Sequence, residues 1–161
     1  MGQICDYFRA ADAETASLAI ASGPLACGFD TVGAKSIAPD VVLSQLIEFI
    51  RGAPSSPHNA RTRLLWPPSK TEPTSRVYDK LPENSPLRNG PYLLELSVEA
   101  RDDLAAVDPA RLPQLAGQWA KIEEMSHYWD EESLLQLLQD LVWLASDARE
   151  AADLLYCWCT V

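Results

Sequence analysis

Apolar and polar side chains alternate at both ends of the chain. In residues 3 to 10, QICDYFRA, a period of two puts Ile4, Asp6 and Phe8 on one side of an extended segment and Cys5, Tyr7 and Arg9 on the other. The period returns in LLYCWCTV, where Leu155, Cys157, Cys159 and Val161 share a face and Tyr156, Trp158 and Thr160 share its opposite. Both faces are largely apolar, which predicts a core strand near the centre of a sheet. PYLLELS, residues 91 to 97, predicts a further strand with a buried middle. RTRLLWPP, residues 61 to 68, predicts an edge strand that Pro67 and Pro68 end. A second extended piece is expected over residues 29 to 37.

Elsewhere the period lengthens to that of a helix. Asp12 is placed to cap a short helix over residues 13 to 21, closed by Gly23 and Pro24. Pro39 and Asp40 suit a first turn and Gly52 a C-terminal position, framing a helix with a broad apolar face of Val42, Leu43, Leu46, Ile47, Phe49 and Ile50. Ser97 caps a helix from Val98 to about Ala106. Asp108 and Pro109 repeat the signal, and a helix from Leu112 to Met125 carries Leu115, Trp119 and Ile122 on one face. Asp130 then caps a long helix to about Glu150, with Leu134, Leu138, Leu141, Ala145 and Ala148 on a stripe widened by Leu135, Leu137, Val142 and Leu144. So wide a face predicts a well-covered helix. No repeat appears. The expected architecture is one α+β domain over residues 1 to 161. A small mixed sheet that includes the N- and C-terminal strands is packed by four or five helices.

A chain of 161 residues suffices to bury roughly two-thirds of its unfolded surface, and 47% hydrophobic with 22% charged residues excludes wholesale disorder. No run is long and apolar enough for a membrane helix, and the opening residues lack an export pattern, so a cytoplasmic location is expected. In that compartment the four cysteines, Cys5, Cys27, Cys157 and Cys159, are expected as free thiols, packed as small hydrophobes. A net charge of −10 argues against nucleic acid, whose phosphates require a basic face. Residues 1 to 50 carry 2 basic and 6 acidic groups, residues 51 to 92 carry 7 and 3, and residues 93 to 161 carry 4 and 14. The basic middle coincides with a Pro-rich excursion at 52 to 91, which holds eight of the twelve prolines. A solvated basic loop on an acidic protein accounts for this distribution; an acidic surface that steers toward a basic partner also does.

Candidate chemistry is sparse. A zinc site around Cys157 and Cys159 would need two more ligands from Cys5, Cys27, His58 and His127, none of which sits in a paired metal-binding spacing. No environment that would lower a thiol pKa for redox work is implied either, so the inside of a sheet is the reading preferred for LYCWCTV. His127 lies beside Tyr128, Trp129 and Asp130, a composition compatible with a general base, yet neighbours in sequence need not face one another. No phosphate-cradling, nucleophile-elbow or metalloprotease motif is present. The carboxylates at Glu95, Glu99, Asp102, Asp103, Glu123 and Glu124 are read as caps and solubilising groups. His58 is read as a solvated residue of the proline-rich loop.

The opening MG with DYFRA, Asp6 to Ala10, resembles the start of YfbM-like proteins, an uncharacterised bacterial family with a mixed α/β domain. ELSVEARDDLAAVDPARLPQLAGQWAKIEE and LYCW resemble hypothetical actinobacterial proteins without assigned activity. The tryptophan- and histidine-containing middle of the YfbM pattern has no counterpart here, so that likeness spans about ten residues. It implies a fold and supplies no catalytic residue.

These readings converge on a non-enzymatic protein-binding domain of immunity or inhibitor type, with no cofactor or metal. Trp66, Tyr128, Trp129, Glu131 and Glu132 are the expected contacts to a basic protein partner. The alternatives are a small enzyme with a dispersed site around His127, or a homodimeric structural subunit.

Overall fold

The computed structural model describes residues 3–52, 61–68, 82–125 and 127–160; His58 and most of the proline-rich excursion lie outside them. The alternating segments at the two ends become β1 (Ile4–Ala10) and β5 (Leu154–Thr160). They pair antiparallel over their full length, from Ile4 opposite Thr160 to Ala10 opposite Leu154. On the far side of β1 lies β2 (Thr31–Gly33), while β4 (Tyr92–Leu96) flanks β5 and β3 (Thr62–Trp66) flanks β4. The order β2-β1-β5-β4-β3 puts the terminal strand at the centre and RTRLLW at an edge, both as the sequence predicts.

The α+β class is observed. Where a mixed sheet is expected, however, all four pairings among the described residues are antiparallel. Parallel neighbours need a crossover that spans a sheet face, usually one helix. Here α1 (Ala13–Ala16) and α3 (Pro86–Asn89) are four-residue turns of about 6 Å, too short to cross. Three helices, α4 (Val98–Ala105), α5 (Leu112–Trp119) and α6 (Glu131–Glu150), separate β4 from β5.

The sheet is covered on both faces, which is why β1 and β5 are apolar at both parities. Cys5, Tyr7, Leu155, Cys157 and Cys159 face the main core, shared with α2 (Ser44–Arg51), α4, α5 and α6. Phe8, Ala10, Leu93 and Tyr156 face a smaller cluster with Ala16 and Ala19, and the Phe8 ring sits 5.0 Å from Phe29 and 5.6 Å from Tyr156. The long helix α6 buries eight side chains, from Leu134 to Ala148, as its wide stripe requires.

Local chemistry sets the boundaries. Ser97 Oγ accepts from the Ala100 amide, Asp108 from Ala110 and Asp130 from Ser133, so each expected cap operates. A π-helical turn, Pro39–Leu43, leads into α2, and Gly52 closes it in the left-handed region at φ 65°. Three expected elements are shorter than predicted. The helix at 13 to 21 is α1 plus a 3₁₀ turn, Ser17–Ala19, in which Ser17 Oγ donates to the Ala13 carbonyl. Of residues 29 to 37, only Thr31–Gly33 forms strand. Beyond it the Ala34 and Ser36 amides donate to Cys5 and Gln3 carbonyls, and Ser36 turns the chain at φ 64°. The helix expected to reach Met125 stops at Trp119, because the chain tightens into i to i+3 bonds at Lys121 and Ile122. The buried Trp119 indole donates to the Val42 carbonyl at 3.0 Å and ties α5 to the turn before α2. Among the described residues no helix is long and apolar enough to cross a membrane.

Candidate functional site

The five expected partner contacts do not form one surface. Trp66 ends β3 at one sheet edge. Trp129 donates its indole N–H to the Lys35 carbonyl at 3.0 Å, just past β2 at the other edge. Four strand spacings, roughly 19 Å, separate those edges. Tyr128 is 60% exposed, but Trp129 is half-buried against the core and acts as a clasp rather than a free anchor. Glu131 and Glu132 are exposed in the first turn of α6, where the macrodipole favours anions, and Glu131 lies over Gly117 of α5. His127 is exposed. Both Asp130 oxygens accept from Ser133, one from its amide and one from its hydroxyl, and these bonds hold the Asp130 carboxyl below its usual range. That carboxylate is committed to the helix start.

A groove of about 380 Å³ opens between β2 and the middle of α6. Its walls are Asp30 and Thr31 to Gly33 on one side and Asp140, Trp143, Leu144 and Asp147 on the other. Positions 140, 143, 144 and 147 recur at helical spacing, so one face of α6 presents Leu144 inward and the three polar or aromatic groups outward. Trp143 is 58% exposed, an unusual state for an indole on a helix whose opposite stripe is fully packed. Three carboxylates, of Asp30, Asp140 and Asp147, line the groove, and no lysine or arginine does among the described residues. Asp30 is partly neutralised by Arg9 at 2.8 Å, and Arg9 also binds Asp153 at 2.7 Å. Asp140 accepts from Gln136 at 2.9 Å. The groove is therefore an open, anionic surface with an aromatic ring in one wall, suited to a cation and not to a small apolar ligand.

A second constellation lies inside the sheet. Cys5 is directly opposite Cys159, and Cys157 is opposite Tyr7 on the same face. The three sulfurs lie within 4.8 Å of one another, with Cys5 Sγ 2.9 Å from Cys159 Sγ and Cys157 Sγ 3.3 Å from Cys159 Sγ. All three residues are completely buried, whereas Cys27 is exposed and apart. The Tyr7 hydroxyl borders the cluster and donates to the Ile37 carbonyl at 2.7 Å. Hydrogen bonding from Cys157, then Cys159, draws the Cys5 thiol down to about 5 against burial and the negative Asp40. Burial pushes Cys157 well up. Cys159 is drawn down by Cys157, but contact with Cys5, burial and Asp40 outweigh this and raise it.

Cys5 is one of the four soft side chains open to a zinc site that the sequence argues against, and the β1–β5 register brings it to Cys157 and Cys159. The exposed face of α6 is missed. The spacing Asp140, Trp143, Asp147 was the available signal, set among polar positions of an otherwise apolar helix.

Compared with protein-family models, with curated proteins and with solved structures, the chain matches none.

Proposed function

We propose that the protein is a non-enzymatic binding domain that receives a basic segment of a partner protein in the groove between β2 and α6, as an acidic immunity- or inhibitor-type protein does. The observation that carries this reading is the exposed Trp143 ring set between Asp140 and Asp147 and across from Asp30. A lysine or arginine side chain laid over the exposed indole gains a cation–π contact of about 0.5–1 kcal/mol, and the flanking carboxylates add attraction at close range. The net charge of −10 draws such a partner in from a distance, over a Debye length of about 8 Å at physiological salt.

The test is calorimetric titration of the full chain with a short oligoarginine peptide, with oligoglutamate of equal length as the control. Binding of the first that weakens as salt rises is expected. Trp143→Ala should lower the affinity about two- to fivefold, the equivalent of one exposed cation–π contact, while circular dichroism and the melting temperature stay unchanged. Equal affinity in Trp143→Ala and Asp147→Asn would remove the groove from the reading. Loss of binding on changing Glu131 and Glu132 instead would move the contact to the start of α6.

A further inference from the structure

We propose that Cys5, Cys157 and Cys159 form a three-sulfur binding site for a trivalent thiophilic metalloid ion of the arsenic(III) type. The inference starts from coordination number. Among the described residues the cluster offers three ligand atoms and no fourth from histidine, cysteine or carboxylate. Tyr7 adjoins it, but its hydroxyl is held by the Ile37 carbonyl. Zinc asks for four ligands, so it is poorly matched.

Distance points the same way. The 2.9 and 3.3 Å separations exceed a disulfide bond of about 2.05 Å and fall short of the edge of a zinc–thiolate tetrahedron, about 3.8 Å for 2.3 Å bonds. A pyramidal three-coordinate centre, with angles nearer a right angle, holds its sulfurs closer together than a tetrahedron does.

Charge decides among the soft ions. Three thiolates carry three negative charges into a site with no solvent exposure, and among the described residues the charged side chain that acts on both Cys5 and Cys159 is Asp40, also negative. A monovalent ion would leave a net charge of minus two and a divalent ion minus one, each buried without a countercharge. A trivalent ion leaves none. Counted from protonated thiols, arsenous acid and three Cys–SH give one As(S–Cys)₃ and three waters. Three As–O bonds break, three As–S bonds form, the thiol protons leave in the waters, and no electrons move. Neutral reactants yield a neutral product, which suits an apolar interior.

Access comes from the sheet's end. Ile4 and Thr160, the last β1–β5 pair, adjoin Cys5 and Cys159, so local opening of that pair is the shortest route for solvent to the cluster.

The experiment uses the reduced full chain carrying Cys27→Ser, which leaves three thiols, titrated anaerobically with arsenite. Expected are one arsenic per chain by native mass spectrometry with loss of three hydrogens, a sulfur-to-arsenic absorbance in the near ultraviolet, and a rise in melting temperature. Zinc(II) and copper(I) should compete weakly. Cys157→Ala should bind at least tenfold more weakly; should it fail to fold, Cys5→Ala and the hydrogen count in the Cys27→Ser chain settle the question. An adduct that has lost only two hydrogens, one that forms only in urea, a chain that stays unmodified, a Cys5–Cys159 disulfide in place of an adduct, or tight zinc that arsenite does not displace would each overturn the assignment.

Discussion

Removal of a single oxygen at Tyr7 probes how the sheet is fastened to the segment before α2. The Tyr7 side chain is 1% exposed, and its hydroxyl donates to the Ile37 carbonyl at 2.7 Å. In Tyr7→Phe the ring still fills its place, so the cost is the lost bond and the carbonyl left unpaired in the core. A buried group without its partner costs about 1–3 kcal/mol, which puts the variant about 2 kcal/mol below wild type. At about 2–4 °C per kcal/mol for a chain of this size, the melting temperature falls by about 4–8 °C. Urea titration followed by circular dichroism should show a lower midpoint with an unchanged slope. A second signature appears in alkali. Burial first, then the neighbouring Cys157, Cys5 and Cys159, hold the Tyr7 phenol well above its ordinary value of 10.0. A folded pKa raised above the unfolded one stabilises fully below pH 10 and is lost as pH climbs beyond it, because only the unfolded chain then releases the proton. The wild type should therefore lose stability above pH 10 more steeply than Tyr7→Phe, by up to about 1.4 kcal/mol per pH unit. A variant within 0.5 kcal/mol of wild type, per the usual spread of neutral surface changes, with parallel alkaline limbs, would refute the reasoning.

Two further substitutions test local features. Ser97→Ala removes the cap on α4, whose Ala100 amide then lacks its 3.2 Å acceptor, and should cost about 1 kcal/mol in urea denaturation; an unchanged midpoint would show that the amide finds another partner. Gly52→Ala and Gly90→Ala separate backbone strain from crowding. Both glycines sit at positive φ, 65° and 73°, but an added Cβ meets nothing within 4 Å at Gly52 and comes to 3.1 Å from the Cys159 carbonyl at Gly90. Each should lose about 1 kcal/mol to the left-handed conformation, with a larger drop in melting temperature at Gly90, and equal drops would mean that the Cys159 strand yields freely.

Period and punctuation made most of the fold readable. The two-residue alternation in QICDYFRA and LLYCWCTV marks both strands, and the apolar character of both parities marks their central position. Asp12, Ser97, Asp108 and Asp130 announce helix starts because a short acceptor before a helical pattern has one main use. Ends are less legible. The early stop at Trp119 depends on a tight turn that nothing in AKIEE encodes on its own, and the brief β2 depends on how far β1 offers it a partner. Strand direction was hidden for the same reason: it follows from how many helices the intervening chain stacks between neighbours, a property of packing.

The candidate sites divide along that line. The groove can be traced back to local spacing, since Asp140, Trp143 and Asp147 fall on one side of a helix whose other side is apolar. Only the wall contributed by β2 is invisible in sequence. The thiol cluster has the opposite character. Cys157 and Cys159 share a face by period alone, yet Cys5 lies 152 positions before the nearer of them, and its arrival depends on β1 and β5 pairing in one register. A slip of one residue would turn Cys5 to the other face, among Phe8 and Tyr156, and leave two thiols in place of three. That register is held by apolar side chains on both faces, so the packing that fixes the fold also assembles the three sulfurs. A site built this way needs no motif, and it carries none.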